Sequence, residues 1–93
     1  MSSSAPFTRI SMHVGDDSHT MCMAYTDSPP ILDIRNGAAS IGIVIAGQNV
    51  DDTALTFARD LLRCAQKFAG EVERLHAEQA AVAELRQAAD KAA

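Results

Sequence analysis

This sequence has few of the residues that build a large core or an aromatic binding surface. Tryptophan is absent, and the 93 residues include one tyrosine and three phenylalanines, so the core has to be built from aliphatic side chains. A chain of this length is expected to form one small domain, which leaves much of its surface in water. A thin aliphatic core on so short a chain favours self-association.

Cysteines and long hydrophobic runs are also scarce. The two cysteines, Cys22 and Cys64, do not form a CxxC pair, so we expect free thiols in a reducing compartment. The most apolar stretch, "IGIVIAG", is too short to span a bilayer, and the start "MSSSAPFTR" lacks the apolar run of a secretory signal. These features predict a cytoplasmic protein without a membrane partner.

Basic residues are outnumbered by acidic ones. Eight Lys and Arg stand against twelve Asp and Glu, which gives a formal net charge of −4. Nucleic-acid binding depends on a basic surface that neutralises phosphates, so this balance argues against a nucleic-acid partner.

The chain divides into a part with strand periodicity and a part with helix periodicity. Residues 1–6 are predicted to be a disordered N-terminus, and residues 7–47 alternate with period two and carry turn signals. Residues 50–90 follow a helical period and are rich in Ala, Glu, Leu and Arg. We expect both parts to form one domain.

The clearest hairpin signal is Asn36-Gly37, which lies between two β-branched runs in "ILDIRNGAASIGIVI". Asn-Gly favours a type I′ turn, because both central residues need positive φ. Such a turn pairs Arg35 with Ala38. One face of this hairpin is then aliphatic and holds Leu32, Ile34, Ala39, Ile41, Ile43 and Ile45.

A second hairpin is predicted from "TRISMHV" and "HTMCMAYT", which alternate and are joined by the turn sequence "GDDS". If both apolar faces are to be one face, Val14 pairs with His19 and Met12 pairs with Met21. In that register His13 and His19 lie on opposite faces of the sheet, so they cannot share a metal ion. The sequence therefore predicts a turn with polar residues here, without a metal site.

The two hairpins are linked by "TDSPPI", in which Pro29 and Pro30 cannot donate to a ladder. The simplest arrangement is an α+β fold, with a four-stranded antiparallel β-meander packed on one long C-terminal helix. The helix is expected to cover the apolar face of the meander.

Asn49 or Asp51 is predicted to cap the C-terminal helix. Residues 54–69 are apolar over more than half of the helix circumference, and one sheet can cover only one side. Beyond Gly70 the tail either projects, folds back or packs on another chain, and we favour a coiled coil or swapped helices over a frayed Ala-rich end. The heptad-like stripe contains Ala54, Ala58, Leu61, Ala65, Phe68, Val72 and Leu75.

The surplus apolar surface predicts a non-catalytic interaction, regulatory or accessory protein that acts as a homo-oligomer and binds a further protein. No catalytic residue, metal or cofactor is predicted. The expected oligomer or partner interface consists of Leu55, Leu62, Phe68, Val72, Leu75, Val82 and Leu85. A polar partner surface on the sheet is expected at Arg9, His13, Asp33 and Arg35.

Two other functions are compatible with the sequence. The first is a small-ligand or metal-binding module, or a minor enzyme, that uses His13 and Cys22 with the turn residues Asp16 and Asp17. The second is a nucleic-acid-associated regulator that uses arginines of a dimer surface, against which the acidic balance argues.

Overall fold

The computed structural model describes residues 7–92, which form a three-stranded antiparallel sheet followed by one α-helix. The strand order in the sheet is β1-β2-β3. The chain divides into two units between Val50 and Asp51, one with the strands and one with the helix. The disorder predicted for residues 1–6 lies outside the described residues. The elements are β1 (Ser18–Met23), β2 (Ile31–Asn36), β3 (Ala39–Val44) and α1 (Asp52–Ala92).

The predicted four-stranded meander is wrong, because residues 8–14 do not form a strand. The "GDDS" turn does form: the Ser18 N–H donates to the Gly15 carbonyl at 3.0 Å, and the Gly15 N–H donates to Ser18 Oγ at 2.8 Å. The segment before the turn is held differently. Asn36 Nδ2 donates to the His13 carbonyl at 2.8 Å, so a side chain occupies a group that a backbone ladder with β1 would otherwise use.

The β2–β3 hairpin is present, but its turn lies one residue later than predicted. Asn36 pairs with Ala39, so Gly37 and Ala38 are the central residues. Among the described residues only glycines have positive φ, and Gly37 has φ 50°. Positive φ at the first central residue alone fits a type II′ turn better than type I′. Each residue of β2 pairs with a residue of β3 two positions later than predicted, and a shift by two leaves every side chain on its predicted face. The aliphatic face is therefore confirmed for Leu32, Ile34, Ala39, Ile41 and Ile43.

The apolar alternation of β1 lies on the other face of the sheet, so the predicted single apolar face is wrong. Thr20 pairs with Ile34, which places Thr20 on the aliphatic face. Met21 pairs with Asp33, which places the β1 methionines on the opposite face. The connection between β1 and β2 has seven residues, and a loop of that length does not fix register as a two-residue turn does.

None of the apolar side chains in residues 7–92 is buried in the single chain. The buried residue of the described sheet is Asp33, at 6% exposure in the central strand. Its carboxylate Oδ2 lies 2.5 Å from Arg35 Nε, two residues along the same face. The sheet is therefore held by its ladders and by an ion pair, with its aliphatic side chains only half covered.

The helix begins at the predicted cap and continues without a break. Asp51 Oδ1 accepts the Ala54 N–H at 2.9 Å, and the Asp51 carbonyl accepts the Leu55 N–H at 3.1 Å. Helix α1 then runs for 41 residues, about 60 Å at 1.5 Å per residue, and passes through Gly70. Exposed i,i+3 and i,i+4 pairs support its second half, where Arg74 contacts Glu71 and Glu78.

Candidate functional site

The polar residues that the sequence marks as a possible ligand site are not gathered into a cluster. His13 and Asp16 are exposed around the first turn, and Cys22 is exposed on the aliphatic face of β1. The Asp17 carboxylate lies over the second turn, where its Oδ2 is 2.6 Å from the position that a Cβ on Gly37 would take. Within residues 7–92 no group of three or more His, Cys, Asp or Glu side chains could hold a metal ion.

The expected polar surface of the sheet is divided in the structure. Asp33 and Arg35 share one face and pair with each other, and the Asp33 side chain is almost completely buried. Arg9 and His13 are exposed in the segment that precedes β1. Arg35 remains half exposed, and the exposed His19, its Cα partner in β1, lies on the same face.

Further exposed arginines and the second thiol lie on the helix. Arg63 pairs with Asp60 one turn earlier, as the local spacing suggests, and Arg59 is exposed nearby. Cys64 is a free thiol and is exposed in this chain. The i,i+4 spacing of Arg59 and Arg63 places them on the same side of the helix, with Asp60 against Arg63.

The most extensive surface feature is an apolar seam along α1, which follows a heptad repeat with positions a to g. Steps of four and three residues alternate without interruption from Ala54 to Arg86. Position d is held by Ala54, Leu61, Phe68, Leu75 and Val82. Position a is held by Ala58, Ala65, Val72, Gln79 and Arg86. These ten residues are the seam.

Most large side chains of the seam are open to solvent in the single chain, whereas Leu61 is partly covered. Phe68 is 66% exposed, Val72 50% and Leu75 45%. Monomeric proteins rarely expose a contiguous apolar surface of this length, and such surfaces mark interaction sites. The seam is therefore the strongest candidate for a functional surface in the described residues.

The seam is broadened on both sides in the first half of the helix. Leu55 and Leu62 lie at position e, each directly after a seam residue. Phe57 and Cys64 lie at position g, each directly before a seam residue. The opposite side of the helix is polar or small and holds Thr56, Arg63, Gly70, Ala77, Glu84 and Lys91. This asymmetry defines a side for a partner, as in helices that pair with other helices.

The predicted interface residues fall on this surface in two ways. Phe68, Val72, Leu75 and Val82 lie in the seam, whereas Leu55, Leu62 and Leu85 flank it. Sequence reasoning omitted two residues from the expected interface, Leu61 in the seam and Phe57 on its flank. The heptad count itself is the signal that finds them.

Comparison with protein-family models, curated proteins and solved structures gave no match to this chain. In the part of the chain that the structure describes, the one helix is not apolar enough over a sufficient length to cross a membrane.

Proposed function

We propose that this protein is a small non-catalytic interaction protein, regulatory or accessory in role, that acts as a homo-oligomer through the seam of α1. The first partner is a second copy of the chain, and the assembled surface then binds a further protein. We place it in the cytoplasm. Both cysteines are free and exposed in the chain, which suits a reducing compartment.

The observation that carries this proposal is a 41-residue helix without a buried apolar residue in the single chain. Isolated helices in water are marginal, because most helical stability in proteins comes from packing of an apolar face. A second helix laid along the seam would supply that packing for Leu61, Phe68 and Leu75. Self-association therefore explains both the length of the helix and the position of its apolar side chains.

Thermal unfolding at several protein concentrations tests the proposal. If folding and association are coupled, each tenfold rise in concentration stabilises the assembly by about 1.4 kcal/mol per dimer. The unfolding unit is then two 93-residue chains, so we expect the midpoint of helix melting, followed by circular dichroism at 222 nm, to rise by about 3–6 °C per tenfold. A midpoint that is the same at every concentration would contradict the proposal.

A further inference from the structure

Large and small side chains are unevenly distributed between the two positions of the seam. Over residues 58–75 position a carries Ala58, Ala65 and Val72, whereas position d carries Leu61, Phe68 and Leu75. In a parallel pair of helices, each layer of the interface brings together identical positions. A parallel homodimer would therefore set alanine against alanine next to a layer of two phenylalanines, and the interface would contain gaps.

A parallel pair is also opposed by charge at the end of the seam. Arg86 occupies position a, so two guanidinium groups would meet in one layer of a parallel dimer. Like charges that face each other without a partner are destabilising, and more so when water is excluded. The seam therefore suits a partner helix that runs in the opposite direction.

In an antiparallel pair, position a of one helix faces position d of the other. One register sets Ala58 against Leu75 of the second copy, and Ala65 against Phe68. In the same register Val72 faces Leu61, so every small residue meets a large one in the centre of the interface. Complementary volumes of this kind fill the space between helices at the density of a protein interior.

We infer that two copies of this chain pair antiparallel along residues 54–79, with Ala65 of each helix packed on Phe68 of the other. This inference rests on the proposed self-association and specifies its geometry. The seam contributes eight layers to the pair. Gln79 lies in the terminal layer against Ala54 of the second copy, where water reaches its amide, and Arg86 lies beyond the paired segment.

Charges on the flank favour this register over those with a longer overlap. Position g carries Glu71 and Glu78, which in the inferred register lie beside Cys64 and Phe57 of the second copy. A shift of one heptad toward longer overlap would set Glu71 against Glu71. A shift of two heptads in the same direction would set Glu71 against Glu78 twice, so both longer overlaps bring like charges together.

Disulfide trapping tests orientation and register with the native Cys64 as one thiol. In a Cys22→Ser background, Glu71→Cys places a second thiol beside Cys64 of the other copy. Residues 64 and 71 of one chain are about 10 Å apart along the helix, too far for an intrachain disulfide. Any disulfide between them must therefore link two chains, and mild oxidation followed by non-reducing denaturing electrophoresis detects it.

Matched variants separate the alternatives. Ala69→Cys meets Cys64 in a parallel dimer, and Glu78→Cys meets it in the antiparallel register shifted by one heptad. Gly70→Cys serves as the control, because it lies on the polar side of the helix and a Cβ there would meet nothing within 4 Å beyond the adjacent residues and backbone of its own helix. We expect Glu71→Cys to form linked dimers at least about tenfold faster than Gly70→Cys, because pairing holds the two thiols at a high effective concentration.

Other outcomes overturn the inference and are distinguishable from failure of the proposed function. Preferential linkage of Ala69→Cys or Glu78→Cys would refute the inferred geometry and leave self-association in place. A reduced protein that is dimeric by solution mass but links no faster at Glu71→Cys than at Gly70→Cys would refute it as well. A reduced protein that is monomeric would refute both the geometry and the proposed function.

Discussion

Replacing Phe68 with glutamate is expected to convert the protein into monomers. Phe68 lies in the middle of the seam and is largely exposed in the single chain, so the change removes little packing within one copy. In any pairing through the seam, however, two carboxylates enter the apolar interface without a cation. An unpaired charge in such a place costs about 3–5 kcal/mol, so the dissociation constant should rise by about a thousandfold or more.

Analytical ultracentrifugation of Phe68→Glu measures this effect, and Ala77→Glu provides the matched control. Ala77 lies on the polar side of α1, where an added glutamate remains in water and helix propensity changes little. We expect Ala77→Glu to retain the wild-type mass. Equal masses for the two variants at all concentrations would show that the seam is not the surface of association.

Removing the Arg35 side chain is expected to weaken the sheet. Asp33 is buried in the central strand, and Arg35 Nε donates to its carboxylate. In Arg35→Ala the carboxylate remains buried and loses this donor and this charge. The guanidinium is half exposed, so the loss is smaller than for a fully buried pair, and we expect the free energy of unfolding of the sheet to fall by about 1–3 kcal/mol.

Urea denaturation followed by the fluorescence of Tyr25, which lies two residues beyond β1, measures this loss. Arg63→Ala is the control, because the Arg63–Asp60 pair on the helix is exposed and such pairs contribute about 0–1 kcal/mol. The double variant Asp33→Leu/Arg35→Ala should recover most of the stability, since no buried charge remains. If Arg35→Ala costs no more than Arg63→Ala, the ion pair does not stabilise the sheet.

The second hairpin and the helix could be predicted from the sequence, because the turn, the cap and the periodic pattern that indicate them each involve residues close together in the chain. The Asn36-Gly37 signal fixed the hairpin to within one residue, and the two-residue shift in pairing left its faces unchanged. The cap at Asp51 and the heptad of α1 also depend on neighbours within a few residues. Continuity through Gly70 follows from good helix formers on both sides and from the Arg74–Glu78 pair.

The first hairpin could not be predicted in the same way. Alternation in residues 8–14 shows which side chains a strand would present, but not whether a ladder forms. Register between β1 and β2 depends on a seven-residue connection, which left the face of Met21 undetermined. The burial of Asp33 follows from that register, since a central-strand carboxylate becomes covered only after both neighbouring strands are placed.

The sequence could predict that the candidate site is an apolar helix surface, because the amount of apolar surface follows from the composition and its position follows from the helical period. Leu61 belongs to the heptad-like stripe in the sequence and Phe57 flanks that stripe, although the expected interface included neither residue. The orientation that we infer for the pair depends on the positions of Ala58 and Ala65, and also on the continuity of the helix, which the structure shows.

The mass of the protein in solution, measured by light scattering behind a sizing column over a wide range of concentrations, tests self-association most directly. One chain has a mass of 9.9 kDa. We predict twice that mass at high concentration and a decline toward the single-chain mass on dilution. A mass of 9.9 kDa at every concentration would contradict the account.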